Sequence, residues 1–102
     1  MIKIISLMKR RDDMTLDEFR DWAFNEHPQL RMKIPGMRRY HMSCVLEDSD
    51  TPFDVISEFW FDDMEAYQAG FATPEGKAAG GDAAAHCSNR ARMVTEDKVI
   101  IP

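Results

Sequence analysis

The chain has 102 residues, with 13 Lys and Arg against 18 Asp and Glu for a net charge of -5, and 44% of its residues are hydrophobic. That length supports one core, because two halves would each bury too little to offset the entropy of ordering them. The negative balance excludes broad electrostatic attraction to a phosphate backbone, and the opening MIKIISLMKRR is too short an apolar run for a membrane span or a secretory leader, so neither nucleic acid nor membrane is expected as a partner.

In chain order, IKIISLM at residues 2–8 is rich in branched apolar side chains and reads as a buried strand. RRDD supplies a turn, and Thr15 with Glu18 in TLDE forms a capping-box pattern that opens a helix. Leu16, Phe19, Ala23 and Leu30 make its apolar stripe, and His27, four residues after Ala23, falls beside that stripe. Pro28 follows at once. It brings no N–H for the carbonyl of Phe24 and disfavours helical geometry at His27, so the helix is expected to end there.

Pro35 and Gly36 mark a turn. A strand over 37–46 places Tyr40, Met42 and Cys44 on one face and Arg39, His41 and Ser43 on the other. After the EDSDTP loop, DVISEFWF reads as a third strand, with Val55, Ser57, Phe59 and Phe61 opposite Ile56, Glu58 and Trp60. A short helix from Asp62 or Asp63 carries Met64 and Tyr67 inward, and Thr73 with Pro74 starts another. Gly80 and Gly81 are expected to weaken or split that helix. A last strand lies within 89–96, and KVIIP either extends it or packs on a partner.

Strand, helix, strand, strand, helix, strand is the order of an α+β, ferredoxin-like βαββαβ domain with a four-stranded antiparallel sheet spanning residues 1–102. With both helices on one side, the other sheet face keeps apolar residues that water does not suit, so we expect a homodimer with facing sheets that enclose a pocket. Cys44 and Cys87 share no redox or zinc-site spacing and read as reduced thiols of a cytoplasmic protein. Arg31, Lys33, Arg38 and Arg39 form the one dense basic patch, which could hold a small anion but reads first as a solvated or salt-bridged surface.

LMKRRDDMTLDEFRDW, EHPQL, IPGMRRY, SEFWFDDMEAY and FATPEG, in this order and spacing, resemble the EthD family of small dimeric α+β barrel proteins over nearly the whole chain. The resemblance implies dimerisation through the sheets, a cavity bounded by helix and sheet, and a catalytic role for His27. Related small proteins include muconolactone-type isomerases and polyketide decarboxylases or cyclases.

From the residues themselves, an imidazole titrating near ~6.5 can exchange protons at neutral pH, which makes His27 the first candidate base. His41, sharing a face with Arg39 and Ser43, can orient an oxygen-rich anion. Glu58, between aromatic neighbours, can act as a general acid or orient His27. Arg39, Tyr40, Trp60 and Trp22 are the candidate contacts for an unsaturated or aromatic ligand. No local metal-ligand pair, glycine-rich phosphate loop or dinucleotide fingerprint occurs, so no cofactor and no metal are expected. The expected activity is cofactor-independent acid/base chemistry on a small cyclic or aromatic carboxylate or lactone, isomerisation foremost. A decarboxylase or cyclase of an aromatic or polyketide-like acid, or a non-catalytic binding or accessory dimer, are the alternatives.

Overall fold

A computed structural model describes residues 1–102. Strands β1 (Ile2–Arg10), β2 (Arg39–Cys44), β3 (Val55–Phe61) and β4 (Cys87–Glu96) form one sheet in the order β2-β3-β1-β4. Each neighbouring pair is antiparallel. Helices α1 (Leu16–Asp21), α2 (His27–Arg31), α3 (Met64–Phe71) and α4 (Pro74–His86) complete the βαββαβ order, with a π-helical turn at Trp22–Glu26 between α1 and α2. The fold is α+β and ferredoxin-like, as the element order implied.

Strand alternation sorts the side chains onto two faces. Ile4, Ser6 and Met8 of β1 stand opposite Phe59, Ser57 and Val55 of β3, and all six are buried under the helices. Phe19, Trp22 and Ala23 close this core near Met8 and Val55, while Ile34 and Ala79 close it near Ile4, Phe59 and Phe61. The other face presents Ile5, Leu7, Ile56 and Met93, of which Ile56 and Met93 are 42% and 47% exposed. No helix is long and apolar enough to cross a membrane.

The caps form as the sequence indicates. Thr15 accepts from the Glu18 amide while Glu18 accepts from the Thr15 amide, and Thr73 accepts from the Gly76 amide with Pro74 in the first turn. Asp63 caps α3, which turns Tyr67 onto the core but leaves Met64 exposed. Met64 at the first helical position points away from the sheet, contrary to expectation.

Two further expectations are corrected. The first helix does not end at His27, because the chain widens into a π turn and resumes as α2 with Pro28 in its first turn, where a missing N–H costs little. The His27 amide reaches back to the Trp22 carbonyl, and the Gln29 side chain donates to the Asn25 carbonyl. Gly80 and Gly81 do not split α4 either. Helical hydrogen bonding continues through them, since the Ala-rich flanks and the cap at Thr73 supply what the two glycines lack.

Candidate functional site

The π turn sets the direction of two side chains at once. One extra residue in the turn brings Trp22 and His27 to the same inner side of the helix, with ring centroids 4.7 Å apart. His27 is fully buried, and its Nδ1 lies 2.9 Å from Oδ2 of Asp82 on α4. The Trp22 indole N–H donates to the same oxygen at 3.1 Å. His86, one turn after Asp82, stacks on Trp22 at 4.5 Å and hydrogen-bonds the Asp82 carbonyl through Nδ1 at 2.7 Å. Asp82 therefore ties α2 and α4 together through one carboxylate.

An acceptor at Asp82 requires that His27 carry its proton on Nδ1, so Nε2 keeps its lone pair. That Nε2 is buried and has no hydrogen-bond partner. Burial, joined by the positive charge of Arg31, lowers the His27 pKa to about 4 against the opposing pull of Asp82. At neutral pH the group is an uncharged imidazole with a free acceptor nitrogen.

Arg31, one turn beyond His27, is also fully buried. Its Nη1 donates to Ser57 Oγ at 2.8 Å, its guanidinium packs 5.0 Å from the Phe59 ring centroid and 5.8 Å from that of Tyr40, and its Nε is unpartnered. No carboxylate pairs with it, and burial pushes its pKa down to about 10. The Tyr40 hydroxyl is a third buried polar atom without a partner, and burial raises its pKa against the pull of Arg31.

A cavity of about 720 Å³ lies between α4 and the β1–β4 half of the sheet, and neither His27, Arg31 nor Tyr40 is among the residues that line it. Ser6, Phe71, Cys87, Asn89, Arg90 and Arg92 line it, and no carboxylate does. The register explains the arginines: Arg90 and Arg92 stand opposite Met8 and Ser6, so both alternate onto the helix side. Burial raises the Cys87 thiol to about 11, which keeps it protonated and unreactive at neutral pH.

The candidates named from sequence divide between the two faces. His27, Trp22 and Tyr40 lie on the helix side. Arg39, His41, Glu58 and Trp60 lie together on the open face, where Arg39 Nε meets His41 Nε2 at 3.2 Å and the Arg39 guanidinium sits 5.0 Å from the Trp60 ring centroid. Glu58 pairs with Lys3 at 3.0 Å, and the Trp60 indole donates to Asp97 at 3.0 Å. Within one protomer this group is separated from His27 by the sheet, and Asp82, not Glu58, orients the imidazole. No group of three His, Cys, Asp or Glu is placed to hold a metal ion.

Arg31, Asp82, Arg90 and Arg92 were not singled out as site residues. Arg31, expected in the basic surface patch, is instead fully buried, because its position four residues after His27 puts it on the same helical face. Asp82 had no comparable signal, because the Ala and Gly around it leave α4 without an apolar stripe from which to read an inward face.

A family model described as the EthD domain matches residues 11–88. No curated protein sequence matches the chain. Among solved structures, an ethyl tert-butyl ether d (EthD) family protein from Bacillus halodurans is 31% identical, with 96% of this chain and 99% of that chain covered and a TM-score of 0.82. A dimeric protein of unknown function and ferredoxin-like fold from Bacteroides fragilis is 26% identical, with 94% and 95% covered and a TM-score of 0.73. A hydroxynitrile lyase from Passiflora edulis shares the fold at 13% identity, with 99% and 96% covered and a TM-score of 0.77.

Proposed function

The chain belongs to the EthD family, and from that premise we propose that it is a cofactor-independent acid/base enzyme acting on a small cyclic or aromatic carboxylate or lactone, most directly an isomerase. The observation that carries this reading is His27, buried with Nδ1 anchored on Asp82 and Nε2 unpartnered. A base needs a free lone pair within about 3 Å of the proton it removes, and an orienting partner that steadies the imidazolium once formed.

In this mechanism Nε2 takes a proton from the carbon next to a substrate carbonyl, and Asp82 balances the charge on the ring. In this reading the buried Tyr40 hydroxyl, which has no partner of its own, donates to the developing enolate oxygen. Because burial and Arg31 disfavour the imidazolium, the proton is returned readily to another ring carbon once the enolate has shifted its charge. Net mass is unchanged. Decarboxylation would use the same group differently, with carbon dioxide leaving the carboxylate and a proton from water reaching the carbon through His27 Nε2. The hydroxynitrile lyase likeness supports the fold as a host for such chemistry and no more.

The functional unit in this reading is a homodimer. Ile5, Leu7, Ile56 and Met93 form an apolar strip on the open face, the kind of surface a second sheet covers, and the similar Bacteroides fragilis protein is described as dimeric. Arg39, His41 and Trp60 then border the dimer interface. Free Cys44 and Cys87 accord with a cytoplasmic setting.

Incubation in deuterated water with a panel of aromatic acids and lactones tests the proton chemistry by proton NMR. Deuterium should enter the substrate carbon next to the carbonyl, and His27→Asn should slow that entry about 100-fold or more. Unchanged exchange in His27→Asn would overturn the assignment.

A further inference from the structure

A fully buried guanidinium without a carboxylate is an expensive arrangement, since an unpaired charge inside a protein is among the most destabilising features a fold can carry. Arg31 is in that state: one N–H is bonded to a neutral serine, the ring faces of Tyr40 and Phe59 offer only weak compensation, and Nε has no partner. Two more arginines converge on the same place. Arg92 packs 5.7 Å from the centroid of the Phe59 ring that Arg31 also packs against, and 4.9 Å from that of Phe71, while its Nη1 donates to the Tyr67 hydroxyl at 3.1 Å. Arg90 stands two residues away on the same strand face.

Their placement is tied to the cavity. Arg90 and Arg92 line it, and so does Ser6, whose cross-strand neighbour Ser57 holds Arg31. The charges of Arg92 and Arg90 also disfavour the charged form of Arg31, so the three lie close enough to repel one another. The chain as a whole carries a net charge of -5, and other arginines such as Arg10 and Arg38 are paired with carboxylates. The clustering of three unpaired ones at a carboxylate-free cavity calls for a negative charge from outside the protomer's own side chains.

Resting on the proton-transfer reading of the same site, we propose that the cavity between α4 and β4 is a carboxylate site, in which Arg90 and Arg92 hold the substrate's carboxylate while Arg31 supplies positive potential from behind Ser6 and Ser57. The substrate is then an anion at the moment of binding, which selects an unsaturated or aromatic carboxylic acid over a neutral lactone. Planar guanidinium groups match the two oxygens of a carboxylate, and Phe71 gives the apolar remainder of the molecule a face to lie on. A cavity of about 720 Å³ accommodates a molecule of one or two rings. Positive charge beside the site also steadies the dianion that forms when a carboxylate substrate is enolised next to His27.

The test is equilibrium binding, which needs no turnover. Benzoate, salicylate, phenylacetate and cis,cis-muconate are titrated by calorimetry, beside methyl benzoate and inorganic phosphate as neutral and tetrahedral controls. At least one carboxylate should bind about tenfold or more tighter than either control, and Arg92→Gln should weaken it about tenfold or more. Arg92 is exposed, so this variant is expected to fold. Arg31→Met should weaken carboxylate binding while raising the melting temperature of the unliganded protein, a combination that mere loss of structure would not give. The proposal is overturned if no carboxylate binds, if methyl benzoate or phosphate binds as tightly, or if Arg92→Gln leaves affinity unchanged. His27→Asn should keep carboxylate affinity within about threefold. Retained binding with undiminished exchange in that variant would reject the proton-transfer reading alone, and unchanged carboxylate affinity in Arg92→Gln with His27-dependent exchange intact would reject the carboxylate site alone.

Discussion

His27 is held neutral in the fold by burial, with a pKa of about 4 against about 6.5 for the free side chain. The unfolded chain therefore takes up a proton first as the pH falls, and folding stability declines from about pH 6.5 downward, levelling off near 4. The loss attributable to this group is on the order of 3 kcal/mol, and in urea unfolding at pH 7 and pH 4.5 most of it should disappear in His27→Gln. Asp82→Asn removes the negative charge that favours the Nδ1 proton on His27 and opposes the downward shift, while an NH2 group competes with the remaining amide oxygen for the imidazole. It should slow proton exchange about 100-fold and move the His27 titration still lower, which a nitrogen-detected NMR titration reads directly. Of these residues only His27 was legible as a base, because a histidine followed by proline disturbs a helix visibly. Its partner was not legible, since Asp82 lies 55 residues away in an Ala- and Gly-rich helix with no apolar stripe to orient it.

Elements whose signals act within a few residues are legible in the sequence, and those that depend on packing are not. The capping box at Thr15, the cap at Thr73 and the alternation in β3 each satisfy neighbouring backbone or face one core, and each stands where the sequence put it. The π turn and the unbroken α4 depend on what the helices lie against. The glycines of α4 accordingly differ. A Cβ at Gly81 meets nothing within 4 Å, so Gly81→Ala should raise stability by about 0.5–1 kcal/mol through reduced backbone entropy. A Cβ at Gly76 would come within 2.5 Å of the Phe71 Cα, so Gly76→Ala should cost about 1–3 kcal/mol. Chemical denaturation of the two variants should show opposite signs. Equal effects would mean that α4 is not seated against the end of α3 as described.

For the molecule as a whole, the sheet separates two surfaces of different character. One face carries the buried His27 and Arg31 and, at a cavity beneath α4, Arg90 and Arg92, and the other presents Ile5, Leu7, Ile56 and Met93 to the outside. In the proposed function, ligand chemistry falls to the first and self-association to the second. Ile56→Asp should convert a dimer to a monomer in sedimentation while leaving the His27–Asp82 pair intact. A variant that remains dimeric would place the interface elsewhere. A neutral histidine with a free Nε2 and a cavity that recruits a carboxylate are the two halves of the proposed site. A nitrogen-resolved NMR titration of His27, assigned with His27→Asn and run with and without benzoate, tests it most directly. The account predicts the Nδ1-protonated neutral tautomer from neutral pH down to about 4, and a change in the Nε2 resonance when benzoate binds. Titration near 6.5, a proton on Nε2 at neutral pH, or an Nε2 signal untouched by bound benzoate would contradict it.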